Sequence, residues 1–265
     1  NIPCIATLEG KAIGGWSPYS HQPTTSGWLA HHFYLQWKYN ADNQFLKEQA
    51  YPWIKEAARY FENISIKGND GKRKLPLSTS PEINDNELNA WFTTTTNYDL
   101  ANIRLTYTAA IEMADSLGLK EEANHWRNQL SEWPEFAVDH TGLTIAPGYP
   151  LSESHRHFSH MLAFHPFGLL DVSQGPGIER LIKRSIHHAE EMGPDLWVGY
   201  SYAWLANMKA RTFDGDGTVR ALHIFIKAFC APNSFHLNGD QLQKGYSSFK
   251  STPNTTSFLP IWMLC

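Results

Sequence analysis

Cysteine is scarce in this sequence. Cys4, Cys230 and Cys265 are three among 265 residues, an odd number without the short paired spacings of a disulfide framework or a zinc ribbon. Charge is scarce as well: charged residues make up 18% and the net charge is −4, with no basic run. The electrostatic footprint of a nucleic-acid binder is therefore missing. No stretch reaches the ~18 consecutive apolar residues of a membrane span, so neither nucleic acid nor a membrane is an expected partner. A glycine-rich phosphate loop, a Gly-x-Ser-x-Gly elbow and a dinucleotide fingerprint are also lacking. The opening "NIPCIATLEGKAIGG" has no charged segment followed by an apolar one, so no targeting signal is legible there.

What the sequence does hold is apolar and aromatic material: 42% hydrophobic and 13% aromatic residues, with ten Trp. That is the composition of a globular chain. Aromatic planes suit the C–H faces of sugar rings, and they serve equally as bulk in a helical core. Helical periodicity dominates. In "DNQFLKEQAYPWIKEAARYFENI", Leu46, Ala50, Trp53, Ile54, Ala57 and Phe61 recur at three- and four-residue steps, a one-faced stripe that Pro52 should kink or split. "SGWLAHHFYLQWKY" is aromatic nearly all round, the pattern of a helix buried between neighbours. Leu100, Ile103, Tyr107, Ala110, Ala114 and Leu117 form a further stripe, and Thr96 followed by Asp99 resembles a capping box with Asp in place of Glu. "KEEANHWRNQLSEW", "HFSHMLAFHPFGLL", "GIERLIKRSIHHAEEM", "SYAWLANMKARTF" and "GTVRALHIFIKAFC" also read as helices. Strand signals are short pieces near "KRKLPLS" and "GLTIAP". Paired helices joined by loops, without repeats or low-complexity linkers, predict one all-α domain over residues 1–265.

Chemistry belongs in the loops, and three stand out: 13–27, 74–96 and 144–157. The last runs into "SESHRHFSHMLAFHP", where His155, His157, His160 and His165, four of the thirteen histidines, fall within fifteen residues. With a helix starting near Arg156, His157 and His160 would share a face. A zinc site would ask for His-Glu-x-x-His or a cysteine or acidic partner, which the segment lacks, so no metal is expected. Arg156 beside His157 supplies donors suited to hydroxyl or carboxylate oxygens; a polar helix start is the plainer use. "DGDG" at 214–217 fails as an EF-hand, which from Asp214 needs Gly at 219 and Glu at 225 and finds Val219 and Phe225. Glu82 in "STSPE" follows Pro81, which holds Ser80 extended. A general acid must be fixed in place and partly desolvated to stay protonated, although a loop glutamate is ordinarily a solvated one.

"GWLAHHFYLQWKYNADNQFLKEQAYPWIKEAARYFE", "STSPE", "TTNYDLANIRLTYTAAIEMADSLG" and "HRHFSHMLAFHP", in that order, resemble the catalytic domain of glycoside hydrolase family 95, inverting α-L-fucosidases and relatives with an (α/α)6 barrel. The similarity runs from about Gly14 to about Asp240. It implies an all-α toroid and hydrolysis, with inversion, of a terminal α-linked L-fucose or similarly configured L-galactose. The partner would be an oligosaccharide or glycan, and no cofactor is implied. Under the resemblance Glu82 matches the general acid, Arg156 and His157 the pair that contacts the sugar, and Trp16 and Tyr19 lie on the loop of aromatic subsite residues. The three loops should then meet at one rim, with Glu82, Arg156 and His157 lining a shared cavity.

The departures from the family are equally specific. Its water-positioning asparagine pair would precede Asn1. Its base lies in a closing Asp/Glu-x-Asn-Phe segment, which "FHLNGDQLQKGYSSFK" approaches and "STPNTTSFLPIWMLC" does not contain. The resemblance therefore implies the central to C-terminal part of a barrel, with other parts of the same polypeptide packing on it. Asp240 is the acidic residue nearest the base position. It falls before that position, which leaves it a substrate contact or the holder of a loop. A carbohydrate-binding helical module without turnover, or a purely structural helical array, are the readings that dispense with a base.

Overall fold

A computed structural model describes residues 7–9, 11, 18 and 21–248. The chain forms two compact units, Asn1–Ala137 with Ile145–Gly148 and Val138–Thr144 with Tyr149–Cys265.

In the first unit, α1 (Thr25–Asn40), α2 (Tyr51–Ile64) and α4 (Lys120–Ser131) all pack on α3 (Asn97–Ser116). Fourteen of the twenty residues of α3 are buried, which is why its apolar stripe is accompanied by buried Asn97, Asp99, Asn102 and Thr106. Close approach of α1 rests on Gly27, where a Cβ would lie 3.0 Å from the Asn102 carbonyl and from Thr106 Oγ1. The all-round burial expected of α1 is not what forms: Ser26, Gly27, Ala30 and His31 are buried, whereas Lys38, Tyr39 and Asn40 reach solvent. Its aromatic side chains spread over a neighbour instead, with Phe33 stacked on Phe45 and Trp53. Pro52 interrupts the next stripe as its chemistry requires. The winding widens to a π turn over Leu46–Ala50, where Tyr51 N–H reaches the Leu46 carbonyl, and only then does α2 begin. The strand signal near Arg73 is a short hairpin, β1 (Ile66–Lys67) with β2 (Arg73–Lys74).

The second unit holds a second hairpin, β3 (Val138–Asp139) with β4 (Gly142–Leu143), and α5 (Pro176–Glu191), α6 (Gly199–Arg211) and α7 (Gly215–Phe229). Helix α6 packs along α7, and α5 packs on β4. Asp214 caps α7 by accepting the Gly217 N–H at 2.8 Å, so "DGDG" is a helix start.

Helices thus dominate, as expected, but no closed ring of helices is present among the described residues; seven helices of twelve residues or more do not complete a toroid of six pairs. A second expectation is corrected at "HFSHMLAFHPFGLL". It is one short 3₁₀ turn, Ser159–Met161, followed by turns. Pro166 has no N–H to donate and disfavours helical backbone at His165, and Gly168 has φ 65. The segment is apolar because it is buried as a loop: Phe158, Met161, Leu162, Ala163 and Phe164 expose 1% or less.

Candidate active site

In the first unit the loop carrying Glu82 is pinned before it reaches that residue. Ser78 and Phe92 exchange both backbone hydrogen bonds, at 2.9 and 2.8 Å. Ser78 Oγ donates to Asp99 Oδ2 at 2.6 Å, and the Thr79 N–H donates to the same oxygen at 3.1 Å. From the start of α1, Thr24 Oγ1 donates to Asp99 Oδ1 at 2.5 Å. Thr96 caps α3 by accepting the Asp99 N–H, and its hydroxyl donates to the Thr79 carbonyl at 2.7 Å. Only half of the expected capping box therefore exists. The Asp99 carboxylate does not turn back to the Thr96 N–H, which donates to Ser78 Oγ instead. Ser78, Thr79, Thr96 and Asp99 expose 1% or less. Burial pushes the Asp99 carboxyl up to about 6, against the lowering effect of hydrogen bonds from Ser78, Thr24 and Thr79.

Next comes a tight turn, Ser80–Pro81–Glu82–Ile83, closed by the Ile83 N–H on the Ser80 carbonyl at 3.1 Å. Pro81 occupies its second position and Glu82, with φ 60, its third. A proline followed by a positive φ is the pattern of a type II turn, whose third position asks for glycine. Glu82 is half-buried, and Asn84 and Asp85 continue with φ 59 and 50.

In the second unit the histidine segment is held by the start of α6. Ser201 Oγ donates to the Arg156 carbonyl at 2.9 Å. The Tyr200 hydroxyl lies 2.8 Å from His157 Nδ1 and 3.0 Å from Nε2. Below them Phe158 meets Trp197 and Trp204 edge to face. The four histidines divide accordingly. His155 and His157 are half-buried beside Arg156, while His160 and His165 are in the interior. Burial, with the neighbouring His155 and His188 adding to it, pushes His160 down to about 3, so it is a neutral imidazole. Among the described residues no group of three or more His, Cys, Asp or Glu is placed to hold a metal ion.

Asp240, also in the second unit, is fully buried. Its carboxylate accepts the N–H groups of Leu242, Lys244 and Tyr246 at 3.0, 3.1 and 3.0 Å, so both oxygens face its own loop. Trp16 and Tyr19 lie outside the described residues. Glu82 belongs to the first unit and Arg156 and His157 to the second.

Residues 6–254 match the glycosyl hydrolase family 95 catalytic domain. The chain belongs to this family. It is 23% identical over 233 residues to alpha-L-fucosidase 2 of Arabidopsis thaliana, a stretch covering 82% of this chain and 26% of that protein. The chain thus spans about a quarter of the length of the curated relative it matches. Two residues of this family 95 chain make contacts that the sequence motifs do not signal. Tyr200 has no signal beyond its place in the first turn of α6. The signal for Asp99 is its length, because an aspartate at that helix position is one methylene shorter than the glutamate that closes a capping box.

Proposed function

We propose that this is a glycoside hydrolase that cleaves a terminal α-L-fucosyl or related α-L-galactosyl linkage with inversion, Glu82 acting as general acid. The observation that carries the reading is a glutamate at a turn position suited to glycine. A non-glycine residue held at positive φ costs about 1–3 kcal/mol and persists only where its surroundings impose it. Pro81 and the Asp99-bound Ser78 and Thr79, all directly before Glu82, hold the backbone that presents it.

In the reaction Glu82 gives its proton to the glycosidic oxygen as the bond to the anomeric carbon breaks, and a water molecule attacks the opposite face. Inversion requires a base at ~6.5–9.5 Å from the acid to leave room for that water; the base stays unassigned. Arg156 and His157 supply donors for sugar hydroxyls, Trp16 and Tyr19 an aromatic subsite.

The test is turnover of Glu82→Gln on aryl and natural α-L-fucosides and on α-L-galactosides. The expected loss is ~10²–10⁴-fold, greatest for poor leaving groups, with sugar binding retained. Unchanged turnover would remove Glu82 from the reaction. Sugar binding without turnover in the unsubstituted protein would favour a carbohydrate-binding module.

A further inference from the structure

Between the start of α1, the start of α3 and the loop that carries Glu82 lies a wholly buried polar knot with Asp99 at its centre. A carboxylate out of contact with water is costly unless its lone pairs are occupied. An alanine or leucine would fill the first turn of α3 at less expense. The partners of Asp99 divide sharply between its two oxygens. Oδ1 takes the Thr24 hydroxyl, which concerns α1 alone. Oδ2 takes the Ser78 hydroxyl and the Thr79 N–H, the last polar anchors before the turn that presents Glu82. From Thr79 the backbone passes through buried Ser80 and Pro81, whose ring fixes φ, directly to Glu82.

We propose that Asp99 is a positioning residue for Glu82, acting through Oδ2 on Ser78 and Thr79. This rests on the reading of Glu82 as the acid, but it predicts a route that can be measured without turnover. Asp99 touches no substrate. Its part is to keep the strained turn in one conformation, so that the Glu82 carboxyl has one environment. Charge is not the essential property. An asparagine can offer its amide oxygen to Ser78 and Thr79 and its NH2 to the Thr24 hydroxyl, so it should substitute.

The experiment tracks the carboxyl carbon of Glu82 by NMR in the 265-residue chain labelled at glutamate, with the Glu82→Gln spectrum assigning the signal. Ser78→Ala and Asp99→Ala are expected to move the Glu82 signal and shift its titration midpoint by ~0.5–1 pH unit, within the ~1-unit spread that folded environments impose. Asp99→Asn should restore both to the unsubstituted values. Thr24→Val, which removes the partner of the other oxygen, should leave both unchanged. If Asp99→Ala does not fold, Ser78→Ala against Thr24→Val decides. An unmoved signal in Ser78→Ala, or equal movement in Thr24→Val, overturns the proposal. The acid role of Glu82 is judged separately by the Glu82→Gln turnover, so the two ideas fail independently.

Discussion

The hydroxyl of Tyr200 rests against the imidazole of His157, 2.8 Å from Nδ1 and 3.0 Å from Nε2. The hydroxyl can donate or accept according to the imidazole tautomer, and the contact holds the ring in place. Its neighbour Ser201 holds the Arg156 carbonyl. If His157 contacts the sugar, Tyr200→Phe should cost about 1 kcal/mol of binding, the worth of one net hydrogen bond, or about fivefold in Kd. Calorimetric titration with a fucosylated oligosaccharide checks this. Unaltered affinity would leave Tyr200 with packing duties alone.

Glu82 offers a second test, in which stability and activity part company. Asn tolerates the left-handed region better than Glu, so Glu82→Asn should add about 1 kcal/mol of stability, seen as a higher urea midpoint at unchanged m. Glu82→Gly relieves the same strain but adds freedom to the unfolded chain, so it should gain less. Both should lack turnover. Destabilisation by both substitutions would show that the turn is not strained at this residue.

Acid titration should separate two kinds of buried group. His160 and His31 are pushed down to about 3 and about 4, burial being the larger cause in each. Their contribution to stability is complete above the ordinary histidine value near 6.5 and is lost as pH falls toward those figures. Asp99, pushed up to about 6 by burial, has the opposite sign. Its contribution is complete below the ordinary value of 3.8 and is lost as pH rises through about 6. Asp99→Asn should therefore steepen the loss of stability between about pH 6 and pH 4, and His160→Gln should flatten it. Each change is worth up to about 1.4 kcal/mol per pH unit. Urea melts at half-unit pH steps would expose a reversed sign.

Two positive-φ glycines should respond differently to alanine. Gly142, φ 119, lies on α5 so closely that a Cβ would meet Ser185 Cα and N at 2.8 Å. Gly148, φ 72, has open space. Gly142→Ala should cost about 2–5 kcal/mol, strain and overpacking together, and Gly148→Ala about 1 kcal/mol from the backbone alone. Equal losses in thermal melts would mean that contact with Ser185 is not what limits position 142.

The helices were legible where an apolar stripe repeats, as in α2, α5 and α7, because burial on one face imposes that period. Periodicity failed at 157–170, where Phe158, Met161 and Phe164 are apolar for a different reason: a loop enclosed on all sides needs the same residue types as a helix. The site was legible only in part. Glu82 could be singled out beside Pro81, but its positive φ is a property of the folded turn. "SHRHFSH" reads as one cluster, yet His160 is interior and His157 is not, since a run without helical winding has no fixed face. The partners of Asp99 are out of reach of any local pattern, with Thr24 lying 75 residues away.

The wide turn at Leu46–Ala50 bears on how this helix can vary in length. A regular helix advances about 100° per residue, and a π turn takes up one additional residue without shifting the phase of the helix beyond it. Buried Leu46 and Ala50 can therefore stay on the same side as Tyr51, Ile54 and Phe61. Removing one residue from 46–50 would restore ordinary winding and keep the residues on either side in phase, so that Phe45 can stay on Phe33. The segment is a phase compensator, and the loss of a single residue should be tolerated here better than in the regular winding of α2.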